Sequence, residues 1–90
     1  MPTFARTIAM EPEDAQRLAV RPAHREYVAE LFARGAIRMS GPFADQLGAL
    51  IVYEADDRAA AEALIAADPY TTAGVVREVE LREWTVVVPG

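Results

Sequence analysis

His24 is the only histidine of the sequence. A histidine side chain, with an unperturbed pKa of about 6.5, is the one best matched to accepting and returning a proton near neutrality, so His24 is the first candidate for general acid/base work. A core or boundary histidine bonded to a backbone carbonyl is the plainer alternative. Asp68 is the second candidate. It ends an alanine-rich helical stretch, where a carboxylate faces the negative end of the helix dipole, and broken local rules of this kind often mark function. Asp68 followed by Pro69 is also a good N-cap and first position for a further turn, Pro69 to Ala73, stopped by Gly74. Placed beside His24, it would orient the imidazole and favour its protonated form.

Arg21 stands before Pro22, where Ser, Thr, Asp or Asn is the usual cap. Its guanidinium could hold a substrate carboxylate or phenolate, or pair on the surface with Glu11 or Asp14. Ser40 could orient a substrate or donate to a developing oxyanion, or simply end a strand before Gly41-Pro42. Tyr70 and Trp84 could stack on an aromatic ligand or fill a seam between subunits.

What the sequence lacks narrows the chemistry further. Without cysteine there is no disulfide, thiolate zinc site, iron-sulfur cluster or thiol nucleophile. With one histidine and no spaced acidic cluster, no metal is expected, and glycines at 35, 41, 48, 74 and 90 form neither a dinucleotide fingerprint nor a phosphate loop, so no cofactor is expected either. A Gly-x-Ser-x-Gly elbow is absent. Fourteen acids against nine bases, a net charge of -5, would repel a phosphate backbone, which argues against a nucleic-acid partner. All nine bases are arginine, so lysine Schiff-base chemistry is excluded. No apolar run approaches the ~18 residues of a membrane span, and Met1 to Arg6 lacks the pattern of a signal peptide, so no membrane partner and a cytoplasmic location are expected. Ninety residues, 52% of them hydrophobic, suit a single globular domain over 1–90.

These side chains must be carried by a small set of elements. Thr3 to Met10 alternates as a strand, with Arg6 interrupting its larger-residue face. Glu11-Pro12-Glu13-Asp14 opens a short helix, and Pro22 is expected to break it and restart another from Pro22 to Arg34, ended by Gly35. His24, Tyr27, Val28, Leu31 and Phe32 share one face of that second helix, which puts His24 near its start and Tyr27 and Phe32 in the core. Ile37 to Ser40 is a second strand, broken by Gly41-Pro42, and Gly48 to Ala55 a third, pairing as a hairpin. Arg58 to Ala67 reads as a helix and Val75 to Val88 as the last strand, with a bulge expected near Arg82 to Trp84. Strand, helix, strand, strand, helix, strand is the α+β, ferredoxin-like βαββαβ order, an antiparallel four-stranded sheet with helices on one face. Both faces of Gly48 to Ala55 are apolar, so the sheet face without helices needs a cover, and a homodimer through that face is expected. In this topology His24 and Asp68 can lie at opposite ends, meeting only if Pro69 to Gly74 folds back or the partner subunit supplies one of them.

Arg21-Pro22-Ala23-His24, Ser40-Gly41-Pro42, and Asp68-Pro69-Tyr70 followed by Ala73-Gly74 resemble, in order and spacing along nearly the whole chain, the YciI-like (YCII-related) family of the dimeric α+β barrel superfamily. The resemblance implies sheet-to-sheet dimers and a histidine/aspartate centre, here His24 and Asp68, with Ser40 as a possible neighbour. A few such proteins remove chloride from chlorinated hydroquinones, and muconolactone isomerases and small monooxygenases share the superfamily fold. The turn after Gly41-Pro42 is short here, and Met10-Glu11 replaces a Tyr-Ala-x-Asp-like run of many relatives.

Two functions follow as expectations. One is a cofactor-free homodimeric enzyme using His24 and Asp68 on a small aromatic or cyclic organic acid, by elimination, isomerisation or decarboxylation. The alternative is a non-catalytic ligand-binding or accessory dimeric module.

Overall fold

A computed structural model describes residues 1–90. Its elements are β1 (Thr3–Ala9), α1 (Ala15–Ala33), β2 (Ile37–Pro42), β3 (Gly48–Glu54), α2 (Arg58–Ala66), α3 (Pro69–Ala73) and β4 (Arg77–Glu83). The strands pair antiparallel in the order β2-β3-β1-β4, the ferredoxin-like α+β arrangement.

The pleat of the two central strands sorts side chains to two faces. Phe4, Arg6 and Ile8 of β1 stand opposite Tyr53, Ile51 and Ala49 of β3. That face meets the helices, and Phe4, Ile8, Ile51 and Tyr53 form one core with Leu31, Ala61, Ile65 and Tyr70. Ala5, Thr7, Leu50 and Val52 occupy the alternate positions and point away from that core. Gly48 lets the strands approach closely, because a Cβ there would run into the Ile8 carbonyl oxygen.

Five expectations about the elements are corrected. Pro22 does not divide the first helical region: α1 is continuous for 19 residues, with Asp14 as its N-cap and Pro22 inside it. Pro22 is exposed, so the Leu18 carbonyl that loses its amide partner lies on the side that water reaches, and packing carries the helix through. Arg21 is consequently a mid-helix residue, and His24 sits halfway along α1 rather than near a helix start. Phe32, expected in the core, is 62% exposed. β2 runs through Gly41 and Pro42, which an edge strand tolerates. β4 stops at Glu83, leaving Val86 to Val88 outside the sheet, and its register shift against β1 falls between Thr7 and Ile8 rather than near Trp84. That shift puts Glu78 opposite Ile8 and Leu81 opposite Arg6, so Glu78 turns to the helix side instead of joining Glu80 and Arg82 on the other.

Candidate active site

Asp68 follows the last turn of α2 in an extended conformation (φ -64, ψ 128) and N-caps α3, its Oδ1 accepting from the Tyr70 amide at 2.9 Å. Gly74, with φ 67, closes this short helix in the left-handed conformation that glycine adopts without strain. α3 packs against α1, and this brings Asp68 to His24 within one chain. His24 Nδ1 lies 2.8 Å from Asp68 Oδ1. Of the two expected routes past the obstacle of the simple topology, the folding back of Pro69 to Gly74 is the one seen, and the earlier start of α1, which was not expected, places His24 mid-helix to meet it.

The second oxygen of Asp68 accepts a hydrogen bond from Arg6 Nη1 at 2.8 Å, and both side chains are fully buried. Arg6 also donates Nη1 to the Tyr53 hydroxyl at 2.9 Å and Nη2 to Thr71 Oγ1 at 3.2 Å. Nε and Nη2 form a bidentate pair with Glu78 at 2.8 and 2.6 Å. Burial acts to raise the Asp68 pKa, but hydrogen bonds from His24 and Arg6, the electrostatic effect of His24 and the Tyr70 amide outweigh it and hold the carboxyl below its usual range. For the Arg6 guanidinium, burial opposes the charge, while Glu78, Tyr53 and Asp68 reverse the balance and raise its pKa. Burial pushes the Tyr53 phenol up to about 12, against the Arg6 charge and hydrogen bond.

An ionised carboxylate only accepts hydrogen bonds. Nδ1 of His24 therefore carries the proton shared with Asp68, and in the neutral ring Nε2 is the free base. No protein group bonds Nε2, yet no buried polar side-chain atom of the chain lacks a partner, so Nε2 is open rather than sealed in. The His24 ring stacks on Tyr70 with centroids 3.8 Å apart and planes 7° from parallel. The Tyr70 hydroxyl accepts from Arg17 Nη1 at 3.2 Å.

His24 opens on a cavity of about 420 Å3 between α1 and the β2–β3 hairpin. Arg21, Ser40 and Tyr70 line the same cavity. The expected surface pairing of Arg21 with Glu11 or Asp14 is not formed. Trp84 is not brought to this site: its amide bonds to the Thr3 carbonyl, and it borders a separate depression with Met1 and Val86. Sequence reasoning missed Arg6, Tyr53 and Glu78 behind Asp68, and Arg17, Arg25 and Arg38 around the cavity. The signal for Arg6 was its place between Phe4 and Ile8 on the core face of a strand, where an arginine needs a buried partner. No group of three or more histidine or carboxylate side chains is placed to hold a metal ion, and no helix is long and apolar enough to cross a membrane.

Comparison with known proteins adds a family and a fold. A family model described as the YCII-related domain matches residues 3–85. Among solved structures, a 5-chloro-2-hydroxyhydroquinone dehydrochlorinase from Burkholderia phenoliruptrix, in complex with 2,5-dihydroxybenzoquinone, is similar with a TM-score of 0.78 at 23% identity, covering 97% of each chain. No curated protein matches the sequence.

Proposed function

The chain belongs to the YCII-related domain family, and from that premise we propose that it is a small-molecule enzyme in which His24 takes and returns a proton on a small aromatic or cyclic organic acid. The observation that carries this reading is the His24–Asp68 pair at the wall of the cavity, with Nδ1 held by a buried carboxylate and Nε2 left free. Asp68 fixes the tautomer and ring orientation, and Tyr70 fixes the ring plane by stacking. Ser40 and Arg21, on the same cavity, contact the substrate. Elimination and isomerisation both need such a base that later acts as an acid. The similar dehydrochlorinase makes loss of chloride from a hydroxylated ring the first reaction to try: a hydroxyl proton passes by way of the base to the ring carbon that bears chlorine, loss of a second hydroxyl proton then expels chloride from that carbon to leave a quinone, and no external oxidant is needed.

The working unit in this reading is a homodimer in the cytoplasm, joined through the sheet face that bears Ala5, Leu50 and Val52. The protein acts without a cofactor.

Purified protein is incubated with a panel of chlorinated and unchlorinated hydroxylated ring acids, and chloride release and isomerisation are followed by ion chromatography and NMR. Turnover that is lost in His24→Ala while the variant stays folded supports the enzyme. Turnover retained in full by His24→Ala refutes His24 as the base, and ligand binding without any turnover favours a binding module instead.

A further inference from the structure

Four arginines, Arg17, Arg21, Arg25 and Arg38, line the cavity beside His24, and no aspartate or glutamate does. This cationic concentration stands in a chain whose net charge is -5. Arg17, Arg21 and Arg25 succeed one another at intervals of four on α1, a spacing at which like charges destabilise a helix. None of the three has a carboxylate within ion-pair distance, and Arg38 alone is paired, with Glu54 at 3.4 Å.

Arg17 is the decisive member. It is 3% exposed, and its guanidinium is clamped by neutral groups only: Nε donates to the Glu11 carbonyl at 3.1 Å, Nη2 to the Pro12 carbonyl at 3.1 Å and Nη1 to the Tyr70 hydroxyl at 3.2 Å. Buried charges are ordinarily paired, and the contrast with Arg6, which meets two carboxylates, is internal to this protein. A cation held rigid, buried and without a counter-charge on a cavity wall is complementary to an anion that arrives with the ligand. Because Tyr70 is at once the partner of Arg17 and the ring stacked on His24, the cation and the free imidazole nitrogen belong to one continuous surface.

We propose that Arg17, with Arg21 and Arg25 extending it towards the cavity mouth, is a carboxylate-recognition subsite that selects ring substrates bearing a carboxylate and sets their orientation towards His24. This rests on the reading of the cavity as the substrate site, and it adds which chemical group is selected and by which residues.

The test is isothermal titration calorimetry with 2,5-dihydroxybenzoate and 2,5-dihydroxybenzamide, which share a ring and differ in the charge of one substituent. The wild type should bind the acid at least ~10-fold more tightly than the amide. His24→Ala should keep that ratio, and Arg17→Met should bring it towards unity. Should Arg17→Met not fold, the doubly substituted Arg21→Met/Arg25→Met protein, changed only outside the buried network, should lower the ratio several-fold. Equal affinities in the wild type, failure of the acid to bind, or a ratio unchanged in every folded arginine variant would overturn the proposal. The two readings fail separately: a wild type that discriminates acid from amide but transfers no proton on any ring acid refutes the enzyme and leaves the subsite standing. Turnover dependent on His24 with no preference for the acid does the reverse.

Discussion

Arg6 and Asp68 meet at 2.8 Å with no solvent exposure of either side chain, although 62 positions of sequence separate them, one inside β1 and the other capping α3. The carboxylate that steadies His24 is thus itself steadied from behind, and Arg6 is shared with Glu78 so that its charge is balanced. Two donors, Arg6 and His24, share one carboxylate. Arg6 helps keep Asp68 ionised, which makes it an acceptor for the His24 Nδ1 proton.

Removing Arg6 strands the groups it satisfies. In Arg6→Met the Asp68 oxygen and the Tyr53 hydroxyl lose a buried partner and Glu78 loses its bidentate mate. Breaking one side of a buried pair costs roughly 3–5 kcal/mol. Thermal unfolding should therefore show a midpoint lowered by more than about 10 °C. Arg6→Lys should recover little of it, since an ammonium cannot serve the forked geometry. An unchanged midpoint in Arg6→Met would contradict this account of the network.

The pH dependence of stability has two limbs with opposite signs. The folded pKa of Asp68 lies below its unfolded value, so its contribution is present above about pH 4 and is lost as pH falls through the lower folded value. Tyr53 works the other way: its folded pKa, about 12, lies above the unfolded value, and the stability this confers is lost as pH rises from roughly 10 towards it. Denaturant unfolding across pH should show both limbs, with the acid limb flattened in Asp68→Asn and the alkaline limb flattened in Tyr53→Phe.

Asp68→Asn keeps the shape of the site but offers His24 a neutral partner. The imidazole is then free to adopt either tautomer, and the N-cap bond to Tyr70 is weakened. Turnover should fall about 100-fold, mainly in kcat. Binding of the ring substrate should change by less than about 5-fold, because Arg17 and Tyr70 remain in place. A loss confined to KM would move Asp68 from positioning the base to binding the substrate.

The extent to which this site was legible in the sequence follows from what sets each contact. Alternation and helical spacing marked the strands and helices, since both periods are local properties. The Asp68-Pro69 cap and the Gly74 stop were equally local, and α3 forms where they lie. Pro22 misled because a helix packed along its length tolerates one missing amide bond, and tertiary support is invisible in a propensity. The single-residue shift of β4 likewise reversed the facing of Glu78, because a bulge leaves no strong mark in alternation. Arg6 looked like a flaw in its strand for the same reason: its partners Asp68 and Glu78 are 62 and 72 positions away.

The sheet face carrying Ala5, Leu50 and Val52 is tested by charge. Multi-angle light scattering at micromolar concentration should give twice the 9.8 kDa chain mass for the wild type. Leu50→Arg, half-buried and pointing away from the helices, should shift the protein to the monomer without unfolding it. A monomeric wild type would remove the dimer from the account.

Because the chain has one histidine, the ring-nitrogen spectrum of 15N-histidine-labelled protein reports on the central claim without ambiguity. At a pH where the ring is neutral, the wild type should show a protonated Nδ1 and an unprotonated Nε2, and this preference should weaken or invert in Asp68→Asn. A wild type with its proton on Nε2, or a spectrum that is the same in both proteins, would contradict the assignment of His24 as the Asp68-oriented base.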